Sequence, residues 1–194
     1  LDAPEESVRV EAAAAAVKLG GADEKTVSVL TDALDSDVTQ LRLLAIETLG
    51  ALGREAQPAA DELAKLLNDP SERVQAAAIE TLARIGPPAY PALAEALAHD
   101  DRQIHEPAAK VLAKAGPDVA PALADLVTDP EEEVRARACT ILVTHGQAAV
   151  PPLLKGMESK DPKIRLTAVT YMKDLGADAE PALGRMIEAL KDTN

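Results

Sequence analysis

One skeleton recurs six times along this 194-residue chain: a β-branched or leucine residue, an alanine four positions later and a glycine twelve positions later. The first position is Val8, Leu41, Val74, Ile104, Val134 and Ile164; the second is Ala12, Ala45, Ala78, Ala108, Ala138 and Ala168. The third is Gly20, Gly53, Gly86, Gly116, Gly146 and Gly176, spaced by 33 residues and then by 30. In five copies a proline stands five residues past the glycine: Pro58, Pro91, Pro121, Pro151 and Pro181. A period in this range means stacked supersecondary units, each touching only its neighbours. The chain is therefore expected to be all-α, an α-solenoid (superhelix) of six antiparallel helix pairs. Its boundaries are expected at about 1-34, 35-68, 69-98, 99-128, 129-158 and 159-194, within a single repeat domain, 1-194.

Each unit reads as helix, tight turn, helix, short loop. In the third, Asp69 has the chemistry of an N-cap, Pro70 that of a first helical residue, and Glu72 completes a capping box. Asp129, Pro130 and Glu132 repeat the pattern. Val74, Ala77, Ala78, Thr81, Leu82 and Ile85 then follow at the spacing of one helical face. Gly86 stops that helix, since a residue without Cβ adopts the left-handed conformation cheaply. Pro91 falls in the first turn of the second helix, where its missing N–H costs nothing. Leu93, Leu97, Leu123, Val127, Leu153, Met157, Leu183 and Ile187 are expected to be the buried stripe of the second helices. Unit one departs most, with Gly20-Gly21 and no proline. In unit four, Pro107 predicts a first helix that starts late or kinks between Gln103 and Pro107. Gly184 weakens the last helix by roughly 1 kcal/mol relative to alanine.

Hydrophobic residues make up 47 % of the chain but aromatics only 1 %, so the core must be built from Ala, Leu, Val and Ile. Alanines at fixed positions let helices approach toward the lower end of the usual range of about 8–10 Å. The net charge of −13 speaks against nucleic acid, whose phosphates call for a basic stripe. Stacking on single strands would need aromatics, and Tyr90 and Tyr171 are the only two. A lone cysteine, Cys139, forms no internal disulfide. No apolar run reaches the roughly 18 residues of a membrane span, and no signal-like segment is present. The chain begins at Leu1 and is expected to be an excised or processed segment, monomeric as such.

The pattern DPxxxVRxxAxxxLxxxG followed by a proline-led helix resembles HEAT repeats, in particular the short phycobilisome-lyase-type HEAT-like units, over essentially the whole chain. The resemblance implies second helices lining a concave face. It also implies an arginine after the first apolar position that ladders to loop aspartates of neighbouring units. Arg9, Arg42, Arg135 and Arg165 match, whereas Gln75 and His105 do not, so the ladder is expected to break in the middle. The family's usual role, protein–protein interaction, is a fold-level analogy.

Catalytic readings find little to work with. Deoxyhypusine hydroxylase, an enzyme of this superfamily, holds two irons through several His-Glu pairs. Here His105-Glu106 is the one such pair, next to Pro107, and a metal needs at least three converging ligands. His145 stands where other copies have Leu or Ile, and its expected role is to meet helix-terminal carbonyls. Cys139 sits among apolar residues with no base on its face of the helix and reads as a buried structural thiol. Glu131, Glu132 and Glu133 are ordinary complements to a helix dipole. No enzyme, cofactor or metal is expected.

One pattern is specific to individual copies. Nine residues after each glycine stand Val29, Glu62, Glu95, Asp125, Lys155 and Arg185, a column running from acidic to basic. The net charges of the six units, counted over the boundaries above, are −4, −3, −2, −2, −2 and 0. Such a gradient would orient a partner of opposite polarity. The expectation is a non-catalytic scaffold binding a protein or peptide along its second helices through Glu62, Glu95, Asp125, Lys155 and Arg185. The groove would be roughly 50–60 Å long for six layers at helix-packing distance. The alternatives are an accessory subunit of a lyase-like or chaperone-like enzyme and a structural spacer between domains. The sequence names no partner and no compartment.

Overall fold

The computed structural model describes residues 3–189, and among them every regular element is helical. Residues 1, 2 and 190–194, included in the expected first and sixth units, lie outside the described residues. The helix pairs are α1 (Ala3–Lys18) and α2 (Glu24–Asp32), α3 (Thr39–Leu52) and α4 (Ala60–Lys65), α5 (Glu72–Ile85) and α6 (Tyr90–Ala98). They continue as α7 (Arg102–Lys114) and α8 (Ala120–Leu123), α9 (Glu132–Val143) and α10 (Val150–Met157), α11 (Pro162–Asp174) and α12 (Leu183–Ala189). The fold is an all-α solenoid. The chain divides into two compact bodies, Leu1–Ala96 with Asp100–Val111 and Leu97–His99 with Leu112–Asn194.

Small residues set the packing distance in each body. In the first, a Cβ placed on Gly50 of α3 would stand 2.7 Å from Thr81 Oγ1 of α5. That buried hydroxyl donates to the Ile46 carbonyl at 3.2 Å, so the close approach also satisfies it. In the second, a Cβ on Gly156 of α10 would lie 2.9 Å from Ala168 Cβ of α11 and 2.8 Å from Val127 Cγ1. Ala168, of the alanine column, therefore faces the second helix of the preceding repeat. Ala45, Ala78, Ala108, Ala138 and Ala168 are each fully buried.

The two ends break this pattern. Ala12 is exposed and Val8 is 69 % exposed, while Val10, Ala13 and Ala14 turn inward instead. Among the described residues no repeat precedes α1 for Ala12 to pack on. At the other end, Leu183 and Ile187 are 56 % and 54 % exposed, whereas Leu123 and Leu153 are fully buried. The expected second-helix stripe therefore holds inside the array and fails in its last repeat. Met157 is only half-buried.

The helix starts also differ from expectation. Asp69 is not the N-cap of α5: Ser71 occupies that position, and Asp69 Oδ1 accepts from the Ser71 N–H at 2.8 Å. Asp129 makes the same turn onto the Glu131 N–H, also at 2.8 Å. An aspartate bonded two residues ahead satisfies its turn before the helix begins, with the proline inside that turn. Asp161, by contrast, is a true cap ahead of a proline, bonded to the Lys163 N–H at 2.8 Å. Nor does α7 start late. Its amides at Ile104 and His105 both reach the Asp101 carbonyl at 3.0 Å, and the helix runs through Pro107 to Lys114. Second helices are short and flanked by 3-10 turns, so Pro58 and Pro181 lie in the 3-10 segments Gly53–Ala59 and Gly176–Ala182.

The arginine ladder has a complete rung at Arg42. Arg42 donates through Nη1 to the Ser36 carbonyl at 2.8 Å and through Nη2 to Asp69 Oδ1 of the next repeat at 3.0 Å. Its Nε stands 2.8 Å from Asp69 Oδ2, and the Asp69 side chain is only 4 % exposed. Gln75 keeps the local part of the arrangement by donating to the Asp69 carbonyl at 2.8 Å. Arg135, 2 % exposed, donates to the carbonyls of Asp129 and Pro130 at 2.8 and 2.9 Å, but its buried Nε has no partner. The repeat register explains the difference: Ser159 occupies in repeat six the position that Asp69 holds in repeat three.

Two stability measurements follow. Gly86 sits at φ 74°, ψ −139°, where only glycine is unstrained, whereas Gly116 sits at φ −77°, ψ −177° with open space around its Cα. Gly86→Ala should destabilise by about 1–3 kcal/mol, and Gly116→Ala should stabilise by about 0.4–1 kcal/mol. Thermal melts of the two variants check the contrast. Second, Ser159→Asp should stabilise by about 1–2 kcal/mol by giving Arg135 a carboxylate. The gain should vanish in an Arg135→Met background, which a double-mutant cycle measures directly.

Candidate functional site

The charged column is best followed body by body. In the first, Glu62 of α4 is bound by Lys65 one turn later, with Nζ 2.7 Å from Oε1, and Glu95 of α6 is exposed. In the second, Lys155 of α10 reaches back thirty residues to Asp125, Nζ to Oδ1 2.5 Å. The Lys155 ammonium, by hydrogen bond and then by charge, holds the Asp125 carboxyl below its ordinary range. Arg185 of α12 donates to Glu158 Oε1 at 2.8 Å and to Glu188 Oε2 at 3.3 Å. Four of the five expected recognition residues are thus engaged in ion pairs within the chain. Such exposed pairs contribute little stability, about 0–1 kcal/mol each, so a partner could exchange them at small cost.

The chemically reactive types take structural places. Cys139 is fully buried in α9, and burial pushes its thiol up to about 12 despite the nearby Arg135 charge. A thiol held protonated is no nucleophile. The His145 ring donates from Nε2 to the Leu112 carbonyl at 3.0 Å, thirty-three residues away. It therefore meets a carbonyl near the end of α7, a helix of the preceding repeat. Glu106 is held by Arg102 at 2.7 Å. Among the described residues no three His, Cys, Asp or Glu side chains gather as metal ligands. No helix there is long and apolar enough to cross a membrane.

What the column missed lies on α2. Asp23 caps that helix, its Oδ1 accepting from the Thr26 N–H at 2.8 Å and the Thr26 hydroxyl at 2.6 Å. The hydroxyl first, then the amide, lowers the Asp23 carboxyl below its ordinary value. Along the same face, a solvent-open hollow of about 620 Å³ runs past Glu24, Val27, Thr31 and Asp32 to Glu55 and Pro58. A second hollow of about 730 Å³ continues from Glu55 and Pro58 past Arg54 and Asp61 to Pro88. The two share Glu55 and Pro58; Val27 and Pro58 lend apolar surface to the first, and carboxylates outnumber Arg54, the one base among their lining residues. The sequence carried a signal for this: units one and two are the most acidic, at −4 and −3. Following a single column across six repeats passed over it, because Asp32, Glu55 and Asp61 occupy other repeat positions.

Comparison with known proteins gives the context. The family described as HEAT repeats matches residues 35–113 and 119–194. No curated protein matches the chain. Among solved structures, an archaeal HEAT-like repeats protein from Thermococcus onnurineus NA1 is 15 % identical, with a TM-score of 0.46 over 88 % of this chain and 80 % of that one. An engineered protein is 22 % identical over 89 % of each chain, with a TM-score of 0.44. A designed armadillo repeat protein, solved in complex with the peptide (KR)4, is 18 % identical over 89 % of this chain and 91 % of that one, with a TM-score of 0.39. With both stretches of the family match running through the repeats described above, the chain belongs to the HEAT-repeat family.

Proposed function

We propose that this protein is a non-catalytic interaction scaffold whose second-helix face holds a segment of another protein, and that the segment is basic. The observation that carries the reading is the paired hollow on the α2 face. Its first part sets Val27 and Pro58 beside the carboxylates of Glu24, Asp32 and Glu55, and its second adds Asp61. An extended peptide places alternate side chains on opposite sides. It would set lysines or arginines against the carboxylates and small apolar residues on Val27 and Pro58. Clustered carboxylates raise the local concentration of a basic partner and steer it during encounter. The column of Glu62, Glu95, Asp125, Lys155 and Arg185 would then be a secondary contact series, available once its internal ion pairs open. The six repeats are proposed to act as one domain presenting this face.

The test must separate a site from the attraction of any basic peptide to a chain of net charge −13. A labelled lysine/arginine octapeptide is titrated by fluorescence anisotropy against the wild type, a groove triple variant (Glu24→Lys, Asp32→Lys, Glu55→Lys) and a control triple variant (Glu80→Lys, Glu132→Lys, Glu133→Lys). Both variants change the net charge equally. The groove variant should lose affinity about tenfold or more, worth roughly 1.4 kcal/mol, while the control loses little. Equal losses would overturn the proposed site.

A further inference from the structure

The rung at Arg135 has the donors of the rung at Arg42 but not its carboxylate. Around Ser159 the loop is built as it is around Asp69. Asp69 Oδ1 accepts from the N–H two residues on, Ser71, at 2.8 Å, and Ser159 Oγ accepts from the Asp161 N–H at 3.2 Å. Gln75 donates to the Asp69 carbonyl at 2.8 Å, and Arg165 Nη1 to the Ser159 carbonyl at 3.0 Å. The arginines of the preceding repeats also start alike, Arg42 and Arg135 giving Nη1 to the carbonyls of Ser36 and Asp129 at 2.8 Å. They part at the rest of the guanidinium. Arg42 turns Nη2 and Nε on the Asp69 carboxylate, at 3.0 and 2.8 Å. Arg135, 2 % exposed, keeps a buried Nε with no partner, and among the described residues no carboxylate pairs with it. A buried cation without a counter-charge is costly, and a buried donor without an acceptor calls for a ligand or water to satisfy it. Asp129, Arg135, Ser159 and Arg165 all belong to the second body.

We propose that the rung at Arg135 binds a phosphate group, which takes at Ser159 the place that the carboxylate of Asp69 takes in repeat three. A guanidinium edge offers two parallel N–H donors, which suit two oxygens on one centre better than a monatomic anion. Lys160 and Lys163, both exposed beside Ser159, add the positive charge that suits a dianion. Of the neighbouring acids, Glu158 is paired with Arg185 at 2.8 Å and Asp161 caps α11. Ser159 is half-buried, so its side of the rung is within reach of solvent. The group can come from two sources. It is free inorganic phosphate, or it is carried by Ser159 after transfer from a nucleoside triphosphate by a kinase. In that transfer the Oγ–P bond forms, the bond to the leaving diphosphate breaks and the hydroxyl proton passes to a base of the kinase. Either way the phosphate ties the loop of repeat six to the first helix of repeat five, as Asp69 ties repeat three to repeat two. The site is independent of the acidic hollow on α2.

Thermal melts of the full chain separate the two sources. In the first arm inorganic phosphate replaces chloride at matched ionic strength, for the wild type, for Arg135→Met and for Ser159→Asp, which fills the rung with a carboxylate. The wild type should gain about 2–4 °C more than either variant; the gain left in the variants measures the general effect of phosphate on burial. In the second arm phosphoserine is incorporated at Ser159 during translation, with Arg135 intact or replaced. It should raise the midpoint by about 2–4 °C with Arg135 intact and not in its absence. Circular dichroism checks that each variant folds. If Arg135→Met does not, Ser159→Asp carries the first arm, and Arg135→Lys, which keeps the charge but lacks the fork, carries the second with a smaller gain. A selective wild-type gain in the first arm assigns free phosphate, and an Arg135-dependent gain in the second alone assigns the serine-borne group. Equal gains across the first arm, with no Arg135-dependent gain in the second, would overturn the proposal.

Discussion

The close approach of helices at small residues is the constraint on which everything else depends. With aromatics at 1 % of the sequence, no large side chain can span a wide gap between helices. The core must be thin and dense, and interiors pack to the density of organic crystals. The buried alanine column and the contacts at Gly50 and Gly156 are how this chain meets that demand. Because each repeat buries its face only on its neighbours, the same residues that hold the interior leave Val8, Ala12, Leu183 and Ile187 uncovered at the ends.

Electrostatics divides into two populations with different consequences. Arg42 and Asp69 form a mostly buried pair that also anchors two loops through carbonyl and amide bonds. Burying such a pair costs desolvation, and its geometry fixes how successive repeats register. The pairs Lys155–Asp125 and Arg185–Glu158 are exposed and screened by salt. They tie successive repeats together only weakly. The acidic hollow on α2 differs again, because its carboxylates face a recess with apolar walls rather than a run of matching bases.

Much of the fold was legible because register positions repeat. The fully buried column of Ala45, Ala78, Ala108, Ala138 and Ala168 and the positive φ of five of the six repeat glycines follow from spacing alone. Gly116 shows the limit: the residue persists although its backbone is ordinary. The helix starts were misplaced by about two residues because an aspartate that closes a turn and one that caps a helix look alike in sequence. The ends were misread for a deeper reason, since a buried-type residue is written into the repeat whether or not a neighbour covers it. Of the candidate site, the charged column was visible but its pairing was not, and the α2 hollow was invisible because it depends on how two adjacent repeats meet.

The account's central claim is that one alanine position per repeat sets the spacing to the repeat before it. The most direct measurement is a pair of thermal melts on Ala138→Leu and Ala12→Leu. Both substitute the same repeat position, which is fully buried in one case and exposed in the other. Ala138→Leu should destabilise by about 1–3 kcal/mol through overpacking, and Ala12→Leu should stay within about 0.5 kcal/mol of the wild type. Equal effects at the two positions, or a neutral Ala138→Leu, would contradict the account.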